Sequence, residues 1–412
     1  MSLPNDFTQY ENLLRVWYKD QRVQDLTNND NPGIALIGRK EMGGQSTPLP
    51  MIDVFGQGVS ADLVSARNNR TLATPPKFSL TPYTLYQAPY IDRLTWKSSV
   101  GNAASFEDYM KFQIDGGIKN VANMMGKYFY GNGDGILGQI STIVSGVITL
   151  ADPDSVSIFN VGQVLAETTV SGTGALASAN SALGYVVNID ESLGTVTVAL
   201  TQGGSAATPS GSTGGVWAAN GFVGLQGTLS NVAPGLGGFN PLTVTSGQTL
   251  FGVDQSINPA RRAGSRLPQV GVPLESAFMN GTSLLARMGQ KPTVGLTSIK
   301  TYNETIKSLQ GRKFFIDSKV GGIGFEGVRV DGAKGPLALY GDRNCPDALT
   351  YLTDPDFWAI YAVVGTAAPE LQTDEFGRLL RDSVNDGYEA RVSGYFAFGC
   401  NKPVVGCVIQ HS

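Results

Sequence analysis

The longest regular pattern of apolar positions in the chain runs from residue 105 to residue 130. Ser105 opens a Ser-Phe-Glu-Asp sequence that resembles a capping box, and Gly131 is a typical helix stop. The pattern predicts one helix, about 39 Å long. Gly116 and Gly117 lie near its middle, where the pair would permit a bend or a close contact with another backbone. The apolar positions that carry the pattern are Phe106, Tyr109, Met110, Ile114, Ile118, Val121, Met125 and Phe129.

A second amphipathic helix is predicted over residues 7–26, which include Trp17. Asp6 is a candidate N-cap, and the Asn/Asp-rich segment that ends in Pro32 and Gly33 terminates the helix. A single terminal helix cannot bury its own apolar stripe. We therefore expect residues 1–33 to form an arm that docks on its own chain or on a neighbour.

Residues 34–100 have the pattern of a long hairpin-like limb with little core of its own. Strands are expected at Leu49–Phe55 and Phe78–Tyr90, and Pro82 and Pro89 make the second strand an edge or bent strand. A short helix beginning at Ser60 is predicted between them. Such a limb would bury its apolar side chains against other molecules.

The segment 139–255 predicts a separate β-rich unit. Alternating apolar runs separated by turns favour a small antiparallel barrel or sandwich, and composition predicts a flexible loop at 202–215. The predicted strands are Ile140–Leu150, Gln163–Glu167, Gly184–Ile189 and Thr195–Leu200. Residues 128–260 contain no lysine or arginine over 133 positions, whereas the flanking segments carry mixed charge. This break indicates a unit inserted into a host domain.

Residues 256–412 return to a mixed helical and strand pattern, so the whole chain is assigned to the α+β class. Helices are expected at Leu274–Met288 and Thr301–Leu309. A turn at residues 354–358 precedes a further strand. The other predicted strands are Lys313–Ile316, Gly327–Val330, Leu337–Tyr340, Ala390–Phe398 and Val404–Ile409.

Composition restricts the partners of the protein. Charged residues make up 16% of 412 residues and the net charge is −4, which favours a surface partly covered by partners and disfavours tight tracking of nucleic acid. No apolar run is long enough for a membrane helix, so no membrane partner is expected. The N-terminus lacks the features of a signal peptide, which predicts synthesis in a cytoplasm.

The residues that usually carry catalysis are scarce, and we predict no enzymatic activity and no catalytic, cofactor or metal site. The only histidine, His411, is next to the C-terminus, where side chains are usually poorly held. The three cysteines fit neither a disulfide framework nor a closed zinc site. The glycines at 133–138 match a dinucleotide motif but follow a helix, so they indicate a helix exit. Acid pairs such as Asp354/Asp356, Asp374/Glu375 and Asp382/Asp386 are typical of solvated turns.

Several segments, taken in their order along the chain, resemble parts of the major capsid proteins of tailed bacteriophages, which share the fold named for phage Hong Kong 97. They are PMIDVFGQGVSADLVSARNN (50–69), ASFEDYMKFQIDGGIKNVANMMGKYFYGNGDG (104–135), ITLADPDSVSIFNVGQVL (148–165), GYVVNIDESLGTVTV (184–198), TLFGVDQSINPARRAG (249–264), ALYGDRNCPDALTYL (338–352) and DGYEARVSGYFAFGCNKPVVG (386–406). The resemblance implies an N-terminal arm (1–33), an E-loop (34–100), a peripheral-domain spine helix (101–138), a β-rich insertion (139–255) and an axial domain with returning peripheral strands (256–412).

The same resemblance implies a set of assembly residues. Asp342, Arg343 and Pro346 would lie in a loop near three-fold or quasi-three-fold contacts. Lys40 and Lys77 lie in the region where one family member forms a cross-link, although no partner residue is assigned here. Arg261 and Arg262, with Arg266 nearby, form the only basic cluster, expected in a solvated loop or in interface salt bridges, with an interior contact to packaged nucleic acid as the less favoured alternative. Trp17, Gly116 and Gly117 complete the set, through the arm and the spine helix.

The function implied is self-assembly, as hexamers and pentamers, into an icosahedral shell that encloses double-stranded DNA. The implied partners are other copies of the chain, a portal, a separate scaffolding protein and a decoration or cement protein, with packaged DNA in non-specific proximity. Two alternatives stay open: a β-rich tail or adhesin protein, and a glycosidase with an inserted binding domain. The first would form trimers or tubes, and the second would need converging carboxylates in a pocket.

Overall fold

A computed structural model describes most of the chain, in twelve segments: residues 31–51, 53, 55–73, 75–93, 103–169, 180–212, 215–308, 315–316, 327–363, 369–372, 380–381 and 387–411. The predicted helix 7–26, with Trp17, lies outside these residues. Helices and strands are both abundant, so the α+β class is confirmed. No described helix is long and apolar enough to cross a membrane.

The helices of the described residues are dominated by one 28-residue element. They are α1 (Pro32–Ala35), α2 (Leu63–Asn68), α3 (Ala103–Tyr130), α4 (Leu236–Phe239), α5 (Pro259–Arg262), α6 (Leu274–Arg287) and α7 (Ile299–Ser308). Helix α3 ends before Gly131 as predicted, but Ser105 is not its N-cap because the helix already begins at Ala103. The exit from α3 uses positive φ angles at Gly133 and Gly135, a conformation that glycine adopts without steric cost.

Helix α3 packs on a five-stranded sheet built from both ends of the chain. Its strands are β1 (Gly38–Glu41), β4 (Tyr83–Gln87), β20 (Trp358–Ala362), β21 (Glu370–Gln372) and β24 (Arg391–Cys400). Strand β24 is central and pairs with β20, β21 and β4. The core between helix and sheet is aromatic: the ring of Phe129 lies 5.5 Å from Trp358 and 5.2 Å from Phe398.

Six antiparallel strands between residues 136 and 225 form a closed barrel, in the order β10-β7-β6-β11-β8-β9. They are β6 (Ile136–Val144), β7 (Val147–Leu150), β8 (Val164–Thr168), β9 (Leu183–Asp190), β10 (Thr195–Ala199) and β11 (Phe222–Leu225). Ser145 and Gly146 turn the first hairpin with positive φ angles. A barrel closed on itself leaves no exposed strand edge. The four predicted runs correspond to five of these strands, because the run Ile140–Leu150 is divided into β6 and β7. The sequence did not predict β11, which follows Gly221 and contains Gly224.

A seven-stranded mixed sheet forms the third body of structure, in the order β14-β25-β19-β15-β18-β17-β16. Its strands are β14 (Ser265–Pro268), β15 (Val294–Thr297), β16 (Phe315–Ile316), β17 (Gly327–Gly332), β18 (Gly335–Gly341), β19 (Leu349–Thr353) and β25 (Cys407–Gln410). Helices α6 and α7 pack on it. Strand β15 is buried at every position, so it lacks the alternation that reveals a half-buried strand, and the sequence did not predict it.

The small remaining sheets belong to the limb and its surroundings. Strands β2 (Thr47–Pro50) and β3 (Lys77–Leu80) form one hairpin, and β12 (Thr249–Leu250) and β13 (Val253–Asp254) another. Strand β5 (Tyr90–Asp92) joins β22 (Leu380–Arg381) and β23 (Gly387–Glu389). The predicted strand 78–90 is divided into β3, β4 and β5, and the divisions fall at Pro82 and Pro89. Helix α2 is capped by Asp62, whose side chain accepts from the Ser65 N–H, and not by Ser60.

Gly116 and Gly117, in the middle of α3, have different surroundings. Substitution by alanine should therefore change the stability of the fold in opposite directions at the two positions. A Cβ at Gly116 would meet nothing within 4 Å, whereas one at Gly117 would lie 3.0 Å from Pro89 Cγ and 3.4 Å from Val392 Cγ2. We expect Gly116→Ala to stabilise by about 0.5–1 kcal/mol, because alanine is the better helix former. We expect Gly117→Ala to be destabilising, because overpacking costs about 1–3 kcal/mol. Urea midpoints of the two variants compare them directly, and equal midpoints would contradict the packing role of Gly117.

Candidate functional site

The part of the described chain that lacks a core is the limb tip, which we define as residues 55–73. Five large apolar side chains are exposed there: Phe55 by 62%, Val59 by 100%, Leu63 by 72%, Val64 by 64% and Leu72 by 88%. Helix α2 within the tip buries no residue. Single apolar residues are ordinary on a surface, but five large ones exposed within 19 residues are a concentration typical of an interaction site.

The limb tip nevertheless has a defined backbone. The Gln57 N–H donates to Thr71 Oγ1 at 3.0 Å, and the Thr71 N–H donates back to the Gln57 carbonyl at 2.9 Å. The Ser65 N–H donates to Asp62 Oδ2 at 2.8 Å. Hydrogen bonds from Ser65 hold the pKa of the Asp62 carboxyl below its usual value. The tip therefore presents its apolar side chains on a locally hydrogen-bonded frame.

The limb base, which we define as strands β2 and β3 with Met51 and Asp53, is buried against the body. Leu49, Met51, Phe78 and Leu80 are all buried. The ring of Phe78 meets that of Phe239 edge to face at 5.2 Å. The base is thus a fixed root for an exposed tip.

A buried ion pair joins the limb base to helix α5. Arg262 Nε donates to Asp53 Oδ2 at 2.6 Å, and the two side chains are 10% and 0% exposed. Arg262 Nη1 also donates to the Asp254 carbonyl at 2.8 Å, and Arg261 Nη1 donates to the Asp53 carbonyl at 2.7 Å. The basic cluster expected in a solvated loop or in interface salt bridges therefore binds its own chain. Arg266 also bonds inward, to the carbonyls of Pro241 and Ala263.

A second buried anchor holds the segment that leads to β1. Asp342 accepts three hydrogen bonds, from the Gly33 N–H at 3.0 Å, the Tyr130 hydroxyl at 2.8 Å and the Asn344 N–H at 2.9 Å. Burial raises the pKa of the Asp342 carboxyl, and the three donors oppose that rise. Asp342 is 1% exposed. All three of these bonds are made within the chain. The expectation that the loop beside Asp342 lies near three-fold or quasi-three-fold contacts stays a prediction.

An amide bridge continues this anchor across helix α3. Asn344 Nδ2 donates to Asn31 Oδ1 at 2.6 Å. The bridge passes directly over Gly126, where a Cβ would lie 2.5 Å from Asn31 Oδ1 and 2.8 Å from Asn344 Nδ2. Gly126 is therefore the position on α3 that makes room for the bridge.

One cleft on the described surface contains mixed charge. It has a volume of about 460 Å³ and lies between the 3-10 helix Pro153–Ile158, helix α7 and the loop 343–347. Carboxylate oxygens of Asp152, Asp154 and Asp347 lie within 4.8 Å of one another. Desolvation, followed by the charge of Asp347, raises the pKa of Asp152, and a hydrogen bond to Asp347 followed by desolvation raises that of Asp154.

Cations in the same cleft offset the charge of these acids. Lys300 Nζ lies 3.6 Å from Asp347 Oδ2, and Lys127 and Arg343 also line the cleft. Desolvation lowers the pKa of Lys127, and the charge of Asp152 opposes that shift. Because the cluster already has positive partners, its composition does not single out a catalytic pair or a metal site.

The three thiols are buried within the fold, and the histidine is half-buried. Burial raises the pKa of Cys400 and of Cys407 to about 12, and that of Cys345 well above its usual value. Such thiols are poor nucleophiles at neutral pH. His411 is not frayed, contrary to the expectation: its backbone N–H donates to the Ala348 carbonyl at 2.8 Å, and its Nε2 lies 2.8 Å from Thr350 Oγ1.

We expect the folded protein to lose stability in mild acid because of His411. Its Nδ1 is buried and has no hydrogen-bond partner among the described residues, and desolvation lowers its pKa to about 4 from 6.5. The unfolded chain then binds more protons, so stability is full above pH 6.5 and falls as the pH drops toward 4. Allowing for partial exposure, we expect His411 to contribute a loss of about 1–2 kcal/mol between pH 7 and pH 5.

The histidine contribution is measured by urea unfolding at several pH values, beside His411→Gln. The glutamine variant should lose less stability than the parent between pH 7 and pH 5. Carboxyls with raised pKa values, such as Asp342, change stability in the opposite direction, but they are common to both proteins. Parallel pH curves for the two proteins would contradict the role of His411.

The remaining predicted site residues lie at the surface or outside the described residues. Lys40 in β1, Lys77 in β3 and Arg343 are exposed, and Pro346 is half-buried. Of the acid pairs, Asp354 caps the turn before β20 by accepting from the Asp356 N–H, whereas residues 374, 375, 382 and 386 lie outside the description. The one pair among the described residues, Asp354 and Asp356, thus serves a turn.

Sequence reasoning missed the residues that complete the two anchors, namely Asp53, Gly126, Asn31 and Asn344. A weak signal existed for Asp53, which is an acid placed between apolar residues in Met-Ile-Asp-Val-Phe. The others are common residue types in unremarkable contexts, and only the fold brings them together.

Comparison with known proteins finds no matching family model and no matching curated protein. Among solved structures, a chain of the capsid asymmetric unit of cyanophage A-1(L) is similar over 92% of both chains, with 13% identity and a TM-score of 0.50. A chain of Mycobacterium phage Ogopogo matches over 93% of both chains, with 8% identity and a TM-score of 0.46. A chain of the capsid of an empty GTA particle matches over 94% of this chain and 90% of the GTA chain, with 11% identity and a TM-score of 0.44.

The first of these likenesses extends over 92% of the chain and 92% of the cyanophage chain. The protein therefore has the fold of a phage capsid subunit, as the resemblance in its sequence predicted. At 13% identity the likeness concerns the fold alone.

Proposed function

We propose that this chain is the major capsid protein of a tailed bacteriophage and that many copies assemble into an icosahedral shell around double-stranded DNA. The observation that carries the proposal is the limb tip, a hydrogen-bonded frame whose five exposed apolar side chains have no core of their own. A shell subunit must make several kinds of contact repeatedly, and a projecting limb buries apolar area on a neighbour.

The parts of the chain are assigned by the order of the Hong Kong 97-type fold. Residues 1–33 are the N-terminal arm and 34–100 the E-loop with its tip. Residues 101–138, with α3, form the spine of the peripheral domain, and 139–255, with the barrel, form the insertion. Residues 256–412 form the axial domain and the returning peripheral strands. The shared sheet of β1, β4, β20 and β24, on which α3 packs, supports this arrangement.

The assembly residues keep their proposed roles where the structure leaves them accessible. Lys40, Lys77 and Arg343 are exposed on the described surface, so each is able to contact a neighbour, and Pro346 shapes the loop beside Arg343. Trp17 is proposed to dock the arm. Gly117 acts within the subunit by permitting close packing of α3, and Arg261 and Arg262 act there by holding the limb base.

The proposed partners follow from the same role. They are other copies of the chain in hexamers and pentamers, a portal, a separate scaffolding protein and a decoration or cement protein on the insertion. The net charge of −4 and the seven acids without a base over residues 128–260 fit a subunit that lies near DNA without gripping it. We propose a structural, non-enzymatic role in the virion, with assembly in the host cytoplasm.

The experiment compares shell formation by the parent with two limb-tip variants, with and without a co-expressed scaffolding protein. Leu63→Asp with Val64→Asp places two charges on the exposed face of α2, and Leu63→Met with Val64→Ile is the matched apolar control. Neither residue is buried in the subunit, so both variants should keep the urea midpoint of the parent. Electron microscopy should show shells for the parent and the control and none for the charged variant.

Two results would end the proposal. One is a parent protein that stays a soluble monomer or forms only trimers or tubes under both conditions. The other is a charged limb variant that forms shells as readily as the parent, because the limb tip would then bury nothing on a neighbour.

A further inference from the structure

The limb base touches the segment that returns from the barrel through a second small hairpin. We define the return hairpin as residues 249–254, which contain β12 and β13. The Ser79 N–H of β3 donates to the Phe251 carbonyl at 3.0 Å, a bond outside the β2–β3 pairing. The Phe251 ring lies 6.5 Å from Tyr83 and 6.0 Å from Phe239. The hairpin thus supports one strand of the limb base from the side.

The turn of the return hairpin is strained. Phe251 has a φ of 46°, followed by Gly252 at 81°. The other described non-glycine residues with positive φ are Ser145, Asn220 and Ser230, so Phe251 is the only bulky one among them. A bulky side chain in the left-handed region is unfavourable and persists only where its surroundings hold it. Here the ring contacts and the bond to Ser79 hold it.

The same hairpin continues to the other side of the limb base. The Asp254 carbonyl accepts from Arg262 Nη1 at 2.8 Å, and Arg262 binds Asp53 at 2.6 Å. Gln255, fully buried, donates to the Gly238 carbonyl at 3.0 Å and so fixes the hairpin to the body. The hairpin therefore bonds strand β3 directly, and it reaches Asp53 on the other side of the limb base through Arg262 of helix α5.

We propose that the return hairpin sets the direction in which the limb leaves the subunit, with Phe251 and Arg262 as positioning residues. A two-stranded ribbon is marginally stable alone, so its direction depends on contacts at its base. A small rotation at the base displaces the distant tip by more than it moves the base. The limb direction is thereby coupled to the segment that returns from the barrel, and it determines whether the tip meets its site on a neighbouring copy. This last step rests on the proposed function.

The test measures limb direction in the unassembled protein. Spin labels are placed at Ala61→Cys in the limb tip and Ser276→Cys on α6, both exposed positions. The three natural thiols are buried and have raised pKa values, so the introduced thiols react first. Phe251→Asn keeps a residue that tolerates the left-handed turn and removes the ring. Phe251→Tyr is the matched control that keeps the ring.

Phe251→Asn should shift and broaden the distance distribution between the labels, whereas Phe251→Tyr should leave it as in the parent. Asp53→Asn, which keeps the shape of the side chain and removes its charge, is a second variant with the same expected direction of change. Arg266→Ala, which removes an arginine that bonds only the backbone carbonyls of Pro241 and Ala263 in the described contacts, should leave the distribution unchanged. Shell yield should fall about tenfold for Phe251→Asn, as a loss of 1.4 kcal/mol in association would produce.

An unchanged distribution in both Phe251→Asn and Asp53→Asn overturns the inference. A changed distribution with the shell yield of the parent also overturns it, because assembly would then be independent of limb direction. If the parent forms no shells, the proposed function fails, while the distance measurement still decides whether the return hairpin positions the limb.

Discussion

Replacing Gly126 by alanine should destabilise the folded chain by about 3 kcal/mol, although alanine is the better helix former. The new methyl group would lie 2.5 Å from Asn31 Oδ1 and 2.8 Å from Asn344 Nδ2. These atoms are the two halves of one buried hydrogen bond, 2.6 Å long. Both side chains would have to move, and each would leave a buried polar group without its partner, which costs about 1–3 kcal/mol per group.

The loss should spread to the segment that leads to β1. The Asn344 N–H donates to Asp342, and Asp342 binds the Gly33 N–H, so displacement of Asn344 loosens the contact that holds residues 31–36. Trypsin should therefore cleave the peptide bonds that follow Arg39 and Lys40 earlier in the variant than in the parent. The effect extends beyond the site because one carboxylate connects helix α3, the loop and the N-terminal segment.

Gly116→Ala is the matched control, because it adds the same methyl group to the same helix where nothing lies within 4 Å. Urea unfolding and limited trypsin digestion of the two variants measure the difference. A Gly126→Ala variant with a urea midpoint equal to or above that of Gly116→Ala would show that the amide bridge moves aside without cost.

The elements with a repeated local signal could be predicted from the sequence. Helix α3 was expected over residues 105–130 and spans Ala103–Tyr130, and α6 was expected at Leu274–Met288 and spans Leu274–Arg287. Each presents several apolar side chains at helical spacing, and a glycine follows within two residues of its end. Packing reinforces a pattern of this kind, so the local preference and the tertiary structure agree.

Elements defined by distant pairing could not be predicted in the same way. Strand β15 is four residues of buried chain between β18 and β19, and nothing in Val-Gly-Leu-Thr separates it from a loop. A limb with little core of its own was expected over residues 34–100, but of its described residues only those of the tip, 55–73, lack a core, and its base packs on the same chain. The anchors were not expected, because Asp53 and Arg262 are 209 positions apart, and Gly33 and Asp342 are 309 apart. Arg261 and Arg262 could be singled out in the sequence because they form its only basic cluster. A single acid such as Asp53 has no comparable pattern that would identify it as their partner.

Asp53→Ala should cost about 3–5 kcal/mol, because it leaves Arg262 charged and buried without its partner. Arg262 would keep its bond to the Asp254 carbonyl, which offsets only part of the lost interaction. The pair is not optimal even in the parent, since Asp53 Oδ1 has no hydrogen-bond partner among the described residues. Removal of both members of the ion pair should therefore destabilise the folded chain less than removal of Asp53 alone.

The double variant Asp53→Ala with Arg262→Met separates these effects. Methionine keeps an unbranched apolar chain in the same space and removes the charge, so the double variant should recover part of the stability lost in Asp53→Ala. The matched control is Glu389→Ala, which breaks the exposed pair of Glu389 with Arg391, whose Nε lies 2.9 Å from Glu389 Oε1. Exposed pairs contribute about 0–1 kcal/mol, so the control should remain close to the parent.

Urea unfolding distinguishes the outcomes, because urea, unlike guanidinium chloride, does not screen ion pairs. A cost for Asp53→Ala as small as that for Glu389→Ala would mean that water reaches Arg262 readily, and that the root of the limb is more open than its burial indicates. A large cost that the double variant partly recovers would mean that the limb base is held by an interaction whose stability depends on both partners being present. A subunit built in this way keeps its projecting limb attached firmly at the root, while the apolar tip stays exposed for a neighbour.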